Sequence, residues 1–195
     1  MTKLIIVEGS DRLGKGSLIK RLCEYYDYKN VTIRHCDKPP KNLSQKEVLN
    51  FQFKCFNQEK TLIYDIINMN NKFYYHDNII IYDRFYLGEY VYSQMFREGD
   101  PKILKEKLIK FEEDFLSHDV TLITLTADPK FSLNIEDGQS FSQSLEEKTK
   151  EINLFKEAHD FSLIKSKLYV KVDNGNNQFR GKKEIFNEVI NFIEK

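Results

Sequence analysis

A chain of 195 residues is long enough to bury a full hydrophobic core and short enough to read as a single domain over 1–195. Its 30 basic and 30 acidic residues cancel, which removes the electrostatic case for nonspecific binding to nucleic acid or to an anionic membrane. Cys23, Cys36 and Cys55 are too scattered and odd in number for a metal motif or a disulfide framework, and no apolar run approaches the ~20 residues of a membrane span.

The first element is a short apolar strand, Leu4 to Val7, of the kind expected at the centre of a parallel sheet. Nothing ahead of it reads as a signal peptide, and with thiols expected to be reduced a cytoplasmic location is predicted. A glycine-rich loop follows, Gly9-Ser10-Asp11-Arg12-Leu13-Gly14-Lys15-Gly16-Ser17, and helical spacing begins near Lys15. Further strands are expected at Val31 to His35, Ile79 to Tyr82, Leu122 to Thr126 and Leu168 to Val172, each β-branched and bounded by polar residues. Helical patterns fill the intervals. Val48 to Asn68 covers one or two helices and Glu89 to Phe96 a short one, while Pro101 to Leu116 opens with proline in its first turn after Asp100. Leu145 to Ile164 and Lys182 to Ile193 complete the set. Five strands alternating with helices predict an α/β fold: a parallel sheet covered by helices on both faces, with ligands outside the carboxyl ends of the strands.

The loop between strand and helix carries the clearest chemistry. Gly9 and Gly14 let the backbone curl so that successive N–H groups face a phosphate, the helix adds its positive end, and the Lys15 ammonium reaches the β and γ phosphates. The hydroxyl that normally follows this lysine and serves Mg²⁺ is displaced by one position, because Gly16 stands there and Ser17 comes next; Ser17 would meet the metal directly or through water. The strand Ile79 to Tyr82 ends in Asp83-Arg84, a carboxylate suited to the Mg²⁺ shell and a guanidinium fork suited to phosphate. His35 sits at a strand end near the presumed cleft, while His76 and His118 read as surface residues.

With these pieces in place, the chain resembles the thymidylate kinase branch of the P-loop nucleoside monophosphate kinases. The matching residues are Glu8 to Lys15, Asp83-Arg84-Phe85 with Gly88 to Ser93, and Leu122 to Thr126 running into Ala127-Asp128-Pro129. Gly-Glu-Tyr-Val-Tyr after the Asp-Arg pair also resembles a subgroup of such kinases from bacteriophages. The resemblance implies a three-layer P-loop kinase fold, ATP with Mg²⁺ as donor, a deoxynucleoside 5′-monophosphate as acceptor, a lid at about 128–144, and a homodimer. It further implies that Gly9 to Ser17 bind ATP, and that Asp11 faces the acceptor's 3′-hydroxyl. Arg84 would bind its 5′-phosphate and Tyr92 would lie against its deoxyribose. Phosphoryl transfer needs a positive charge on the moving group. Lys130 to Ser144 contain no arginine, so Arg12 in the loop is assigned that role, with Arg97 and Lys130 in reserve.

The base pocket departs from the pattern. No arginine occurs between Arg34 and Arg84, and His35-Cys36-Asp37-Lys38-Pro39-Pro40 stands where the relatives carry Arg-Glu-Pro. Phe51, Gln52, Phe53, Phe56 and Gln58 are the residues available to meet a base; Phe53 and Arg97 are taken as acceptor contacts. Two other readings stay open: a kinase of unphosphorylated deoxynucleosides, and a nucleotide-binding protein that transfers nothing.

Overall fold

The computed structural model describes residues 2–27, 30–36, 39–40, 43–73 and 78–195; His76 and the Asp37-Lys38 pair lie outside them. The elements run β1 (Thr2–Gly9), α1 (Lys15–Tyr25), β2 (Val31–Arg34), α2 (Gln45–Phe73), β3 (Asn78–Asp83), α3 (Leu87–Phe96), α4 (Pro101–Glu113), β4 (Asp119–Thr126), α5 (Pro129–Asn134), α6 (Leu145–Phe161), β5 (Ser166–Lys171) and α7 (Lys182–Ile193). The five strands form one parallel sheet in the order β2-β3-β1-β4-β5.

The strand sequences explain why both faces are covered. Residues alternate sides along a strand, so the unbroken apolar run Leu4-Ile5-Ile6-Val7 must bury both sets. Leu4 and Ile6 face one core with Ile80, Tyr82, Val120 and Leu122, closed by α2, α3, α4 and α6. Ile5 and Val7 face the other with Ile79, Ile81, Ile123 and Leu125, closed by α1 and α7. Each fully buried aliphatic side chain contributes about 1.5–3 kcal/mol, and Ile5, Ile6 and Val7 are wholly excluded from water. β1 therefore needs an interior position in the sheet, and it takes the central one.

The expected strands and helices all form, with shifted ends. β4 starts at Asp119, three residues before the apolar pattern, because Lys3 to Ile5 pair with Asp119 to Thr121. Val48 to Asn68 lie in one continuous helix of 29 residues. The start of α4 was legible in the sequence; the cap of α6 was not. Asp100 accepts from the N–H groups of Lys102 and Ile103 ahead of Pro101, and Ser144 with Glu147 forms a reciprocal capping box. Within the expected lid a short helix, α5, stands on an Asp128 cap with Pro129 in its first turn.

Candidate functional site

The loop after β1 is shaped by two glycines. Gly9 adopts φ +126°, and a Cβ there would meet the Leu125 carbonyl oxygen at 2.3 Å, so no other residue fits between β1 and β4. Gly14, at φ +86°, precedes α1 without a side-chain cap, and no acidic residue lies in the first turn. α3 and α7 likewise begin without a side-chain cap, whereas Asp100, Asp128 and Ser144 cap α4, α5 and α6. The first N–H groups of α1 are left for an acceptor from outside the chain. Space is available, since nothing lies within 4 Å of where a Cβ would stand on Gly14 or Gly16.

Lys15 is buried inside this loop, its Nζ donating to the carbonyls of Gly9 at 2.8 Å and Ser10. Burial pulls its pKa down to about 8, against the opposing fields of Asp83, Glu8 and Glu151. Beneath it, Glu8 is entirely buried, and burial raises its pKa. Its Oε1 accepts from the Phe85 N–H at 2.9 Å and the Leu87 N–H at 3.1 Å, tying the end of β1 to the start of α3. Glu8 thus fixes the turn that carries Arg84.

Arg12 and Arg84 share an unusual backbone. Both sit in the left-handed region, at φ +66° and +64°, a conformation costing about 1–2 kcal/mol for a residue with a Cβ. The Arg84 N–H donates to the Val7 carbonyl at 3.0 Å, its Nη2 pairs with Asp11 Oδ1, and its Nε is buried without a partner. Asp11 is thereby placed against the arginine expected to take the acceptor phosphate. Arg12 reaches across to Asp137 in the segment after α5, and both of these side chains stay substantially open to water.

Arg12, Lys15 and Arg84 border a cavity of about 1220 Å³ at the carboxyl ends of β1, β2 and β3. One end is cationic, with Arg12, Lys15 and Arg84, and also carries Ser17 and Asp83. His35 stands beside Asp83, Nδ1 to Oδ2 at 3.6 Å. The other end is lined by Gln52 and Phe56 from α2 and by Glu89, Phe96 and Arg97 from α3 and its end. A smaller cavity of about 290 Å³ opens on the far side of the loop between Arg21, Phe179 and Arg180. Arg12, Gly14 and Ser17 border both cavities.

Most of the predicted site residues meet here. Tyr92 lines the large cavity with its hydroxyl donating to Glu151 at 2.9 Å. Arg97 donates from Nη2 to Glu89 Oε2 at 2.7 Å and to Ser93 Oγ at 3.1 Å. Gly9, Ser10, Asp11 and Leu13 do not border the large cavity. Phe53 does not either: it packs edge-on to Phe56 at 5.6 Å with Lys107 over its ring, while the cavity side of α2 is taken by Val48, Gln52 and Phe56. Those three recur at a spacing of four, which places them on one stripe of the helix, and Phe53 falls beside it. His118 is half-buried against Tyr64, not a surface residue.

Several participants escaped the sequence reading. The segment expected as a lid lacks arginine yet reaches the loop through Asp137 and the large cavity through Phe141. Its fold is organised around Glu136, which accepts from the N–H groups of Asp137, Gly138 and Ser140 and pairs with the fully buried Lys148. Burial alone would raise the Glu136 pKa, but the bonds from Lys148 and Ser140 hold it near 2. Glu89 and Arg180 also went unassigned. The available signal was topological: α3 starts at the end of β3, and the segment after β5 must return beside the loop after β1.

The amino-acid sequence matches no family model and no curated protein. Solved structures do share the fold. The YorR protein from Bacillus subtilis, in complex with phosphorylated GDP, is 19% identical with a TM-score of 0.63, covering 98% of this chain and 96% of that one. Thymidylate kinase from Candida albicans is 17% identical with a TM-score of 0.68, covering 99% and 91%. Thymidylate kinase from Ehrlichia chaffeensis is 15% identical with a TM-score of 0.64, covering 97% of each chain. The five-stranded parallel sheet with its loop after β1 is therefore the P-loop kinase fold, of the form found in thymidylate kinases.

Proposed function

We propose that this protein transfers the γ-phosphoryl group of ATP to the 5′-phosphate of a deoxynucleoside monophosphate. One observation carries the reading: a single loop borders two cavities, and Arg12 faces both. A donor nucleotide seated by the smaller cavity and an acceptor in the larger one would meet at that arginine. The thymidylate kinases that share this fold support the choice of a nucleotide acceptor.

Each residue then has a chemical task. The uncapped N-terminus of α1 and the Lys15 ammonium bind the donor's β and γ phosphates. Arg84 gives its planar fork to the acceptor's 5′-phosphate, releasing Asp11 to the sugar's 3′-hydroxyl. Tyr92, anchored through its hydroxyl, presents its ring to the deoxyribose, and Arg97 meets the acceptor farther along α3. Arg12 leaves Asp137 and neutralises charge on the phosphoryl group in flight. The acceptor needs no general base, because a phosphate monoester with its second pKa at about 6 is already ionised near neutral pH. Transfer is in-line, and catalysis is positioning plus charge neutralisation.

The donor set fits Mg²⁺. Ser17 and Asp83 both border the large cavity and offer hard oxygens, and Mg²⁺ takes one or two such groups and fills its octahedron with water and phosphate. Among the described residues no cluster of three or more His, Cys, Asp or Glu forms a separate metal cage. When bound, the ion would neutralise the β and γ phosphates. Segment 128–144 would act as the lid, and a cytoplasmic homodimer is the expected form.

One assay tests the proposal. ADP release from ATP and Mg²⁺ is measured with each nucleoside and each 5′-monophosphate in turn. Release with monophosphates alone is the expected result. Release with nucleosides alone would mean a deoxynucleoside kinase, and release with neither would mean a binding protein without transfer.

A further inference from the structure

The segment after α5 inverts the usual division between buried and exposed residues. Phe141 is 64% exposed, while Ser140 and Ser142 on either side of it are 7% and 0% exposed. The Ser142 hydroxyl is buried without a hydrogen-bond partner. Hiding two serines while leaving a phenylalanine in water runs against both the hydrophobic effect and the cost of burying a hydroxyl. Local hydrogen bonds impose it. Glu136 accepts from the N–H groups of Asp137, Gly138 and Ser140, and Gln143 Nε2 donates to the carbonyls of Gly138 at 3.0 Å and Ser140 at 3.2 Å.

The exposed ring has aromatic neighbours. Its centroid lies 5.7 Å from that of Tyr92 and 5.7 Å from that of Phe96, aromatic residues one turn apart on α3. Phe96 is itself 42% exposed, and all three rings border the large cavity. At 1.5 Å per residue, Tyr92 stands about 6 Å and Phe96 about 12 Å beyond Gly88 along the helix, which starts just after Arg84. Arg97 and Glu89, also at the far end, neutralise each other. The cavity is therefore cationic where α3 begins and aromatic where α3 ends. A ligand that complements both carries an anion at one end and a flat apolar ring at the other, as a nucleoside monophosphate does.

We infer that the base of the acceptor stacks on Phe141, so that the segment after α5 supplies a wall of the base pocket beside Phe96. Phe141 is a binding residue for the acceptor. Stacking uses the π-face that every base has, so this wall sets affinity for the acceptor rather than the choice of base. The hydrogen-bonded frame presents the ring already ordered, which limits the entropy lost on binding. This inference rests on the proposed transfer to a nucleoside monophosphate.

The test measures KM for the deoxynucleoside monophosphate turned over fastest, KM for ATP, and inhibition by deoxyribose 5-phosphate, which lacks only the base. Phe141→Ala should raise KM for the monophosphate about 5- to 150-fold, the range of one base–aromatic stack. KM for ATP and the inhibition constant of deoxyribose 5-phosphate should stay within about twofold, and Phe141→Tyr, which keeps the ring, should leave all three there. An unchanged KM for the monophosphate in Phe141→Ala overturns the inference. Equal weakening of deoxyribose 5-phosphate also overturns it, because the ring would then act through the fold. The kinase reading survives both results. A second readout needs no turnover: the chain has no tryptophan, so Phe141→Trp places a single reporter at the wall. Its emission should change on adding a deoxynucleoside monophosphate and not on adding deoxyribose 5-phosphate. That response without ADP release overturns the kinase reading and keeps the stack; ADP release without that response overturns the stack alone.

Discussion

The Arg12–Asp137 contact joins the loop after β1 to the proposed lid, and its two side chains are 40% and 42% exposed. A pair so open to water contributes roughly 0.2–1 kcal/mol. An arginine that neutralises a phosphoryl group in flight contributes far more: 10³–10⁵ in rate, about 4–7 kcal/mol at 1.36 kcal/mol per decade. Two substitutions separate these scales. Arg12→Ala should lower turnover by about 10³ or more, while ATP affinity stays within a few-fold, because Lys15 and the N-terminus of α1 remain. Its unfolding free energy should change by no more than about 1 kcal/mol. Asp137→Asn removes the competing charge and keeps the oxygen that accepts from the Gln139 N–H. Turnover should then be unchanged or rise by at most about fivefold, the factor that 1 kcal/mol represents. Steady-state ADP release, titration with a fluorescent ATP analogue and urea unfolding measure the three quantities. Near-normal turnover in Arg12→Ala would refute the assignment. A hundredfold loss in Asp137→Asn would refute the idea that the pair is only a resting contact.

Three further outcomes follow from buried charge. Lys15 titrates near 8 because burial disfavours its charged form, so kcat/KM for ATP should fall as pH rises through about 8. Lys15→Arg, if active, should lose that alkaline limb, and a flat profile between about pH 7 and 9 in the unaltered protein would contradict the role given to the ammonium. Glu8→Ala leaves the Phe85 and Leu87 N–H groups buried and unpaired, at about 1–3 kcal/mol each, whereas Glu8→Gln keeps an accepting oxygen and should stay within about 1 kcal/mol; equal losses in urea unfolding would mean that the charge, not the acceptor, matters. His159 is buried beside Thr124, 2.9 Å from Nδ1 to Oγ1, and burial lowers its pKa to about 4. The unfolded chain therefore takes up this proton first, so stability should fall by about 3 kcal/mol as pH drops from 6.5 to below 4, and His159→Asn should show a shallower acid limb.

Much of this fold and part of the site could be read from local pattern. The doubly apolar run at Leu4 to Val7 demanded cover on both faces, and it lies in the central strand. Gly9 and Gly14 marked the loop because the backbone there needs positive φ, which other residues resist. Asp83-Arg84 was legible because an apolar strand that stops on charged residues delivers them to the sheet's carboxyl edge. Phe53 was not separable from Phe56, because α2 carries aromatic residues on adjoining stripes and periodicity alone does not say which stripe faces the ligand. One helix or two over Val48 to Asn68 was left undecided although no glycine or proline breaks the run, and the absence of a breaker fits the single helix.

What the amino-acid sequence by itself determined was conformation over short range: where the chain extends, where it coils, and where it must turn around a phosphate. Steric limits and hydrogen bonding within a few residues set those choices. What only the tertiary structure decided was pairing. Arg12 meets Asp137 across 125 positions, Arg84 meets Asp11 across 73, and Arg180 returns beside the loop after β1. A charge on a sequence carries no address. It acquires one when the order β2-β3-β1-β4-β5 brings five strand ends together around a single loop.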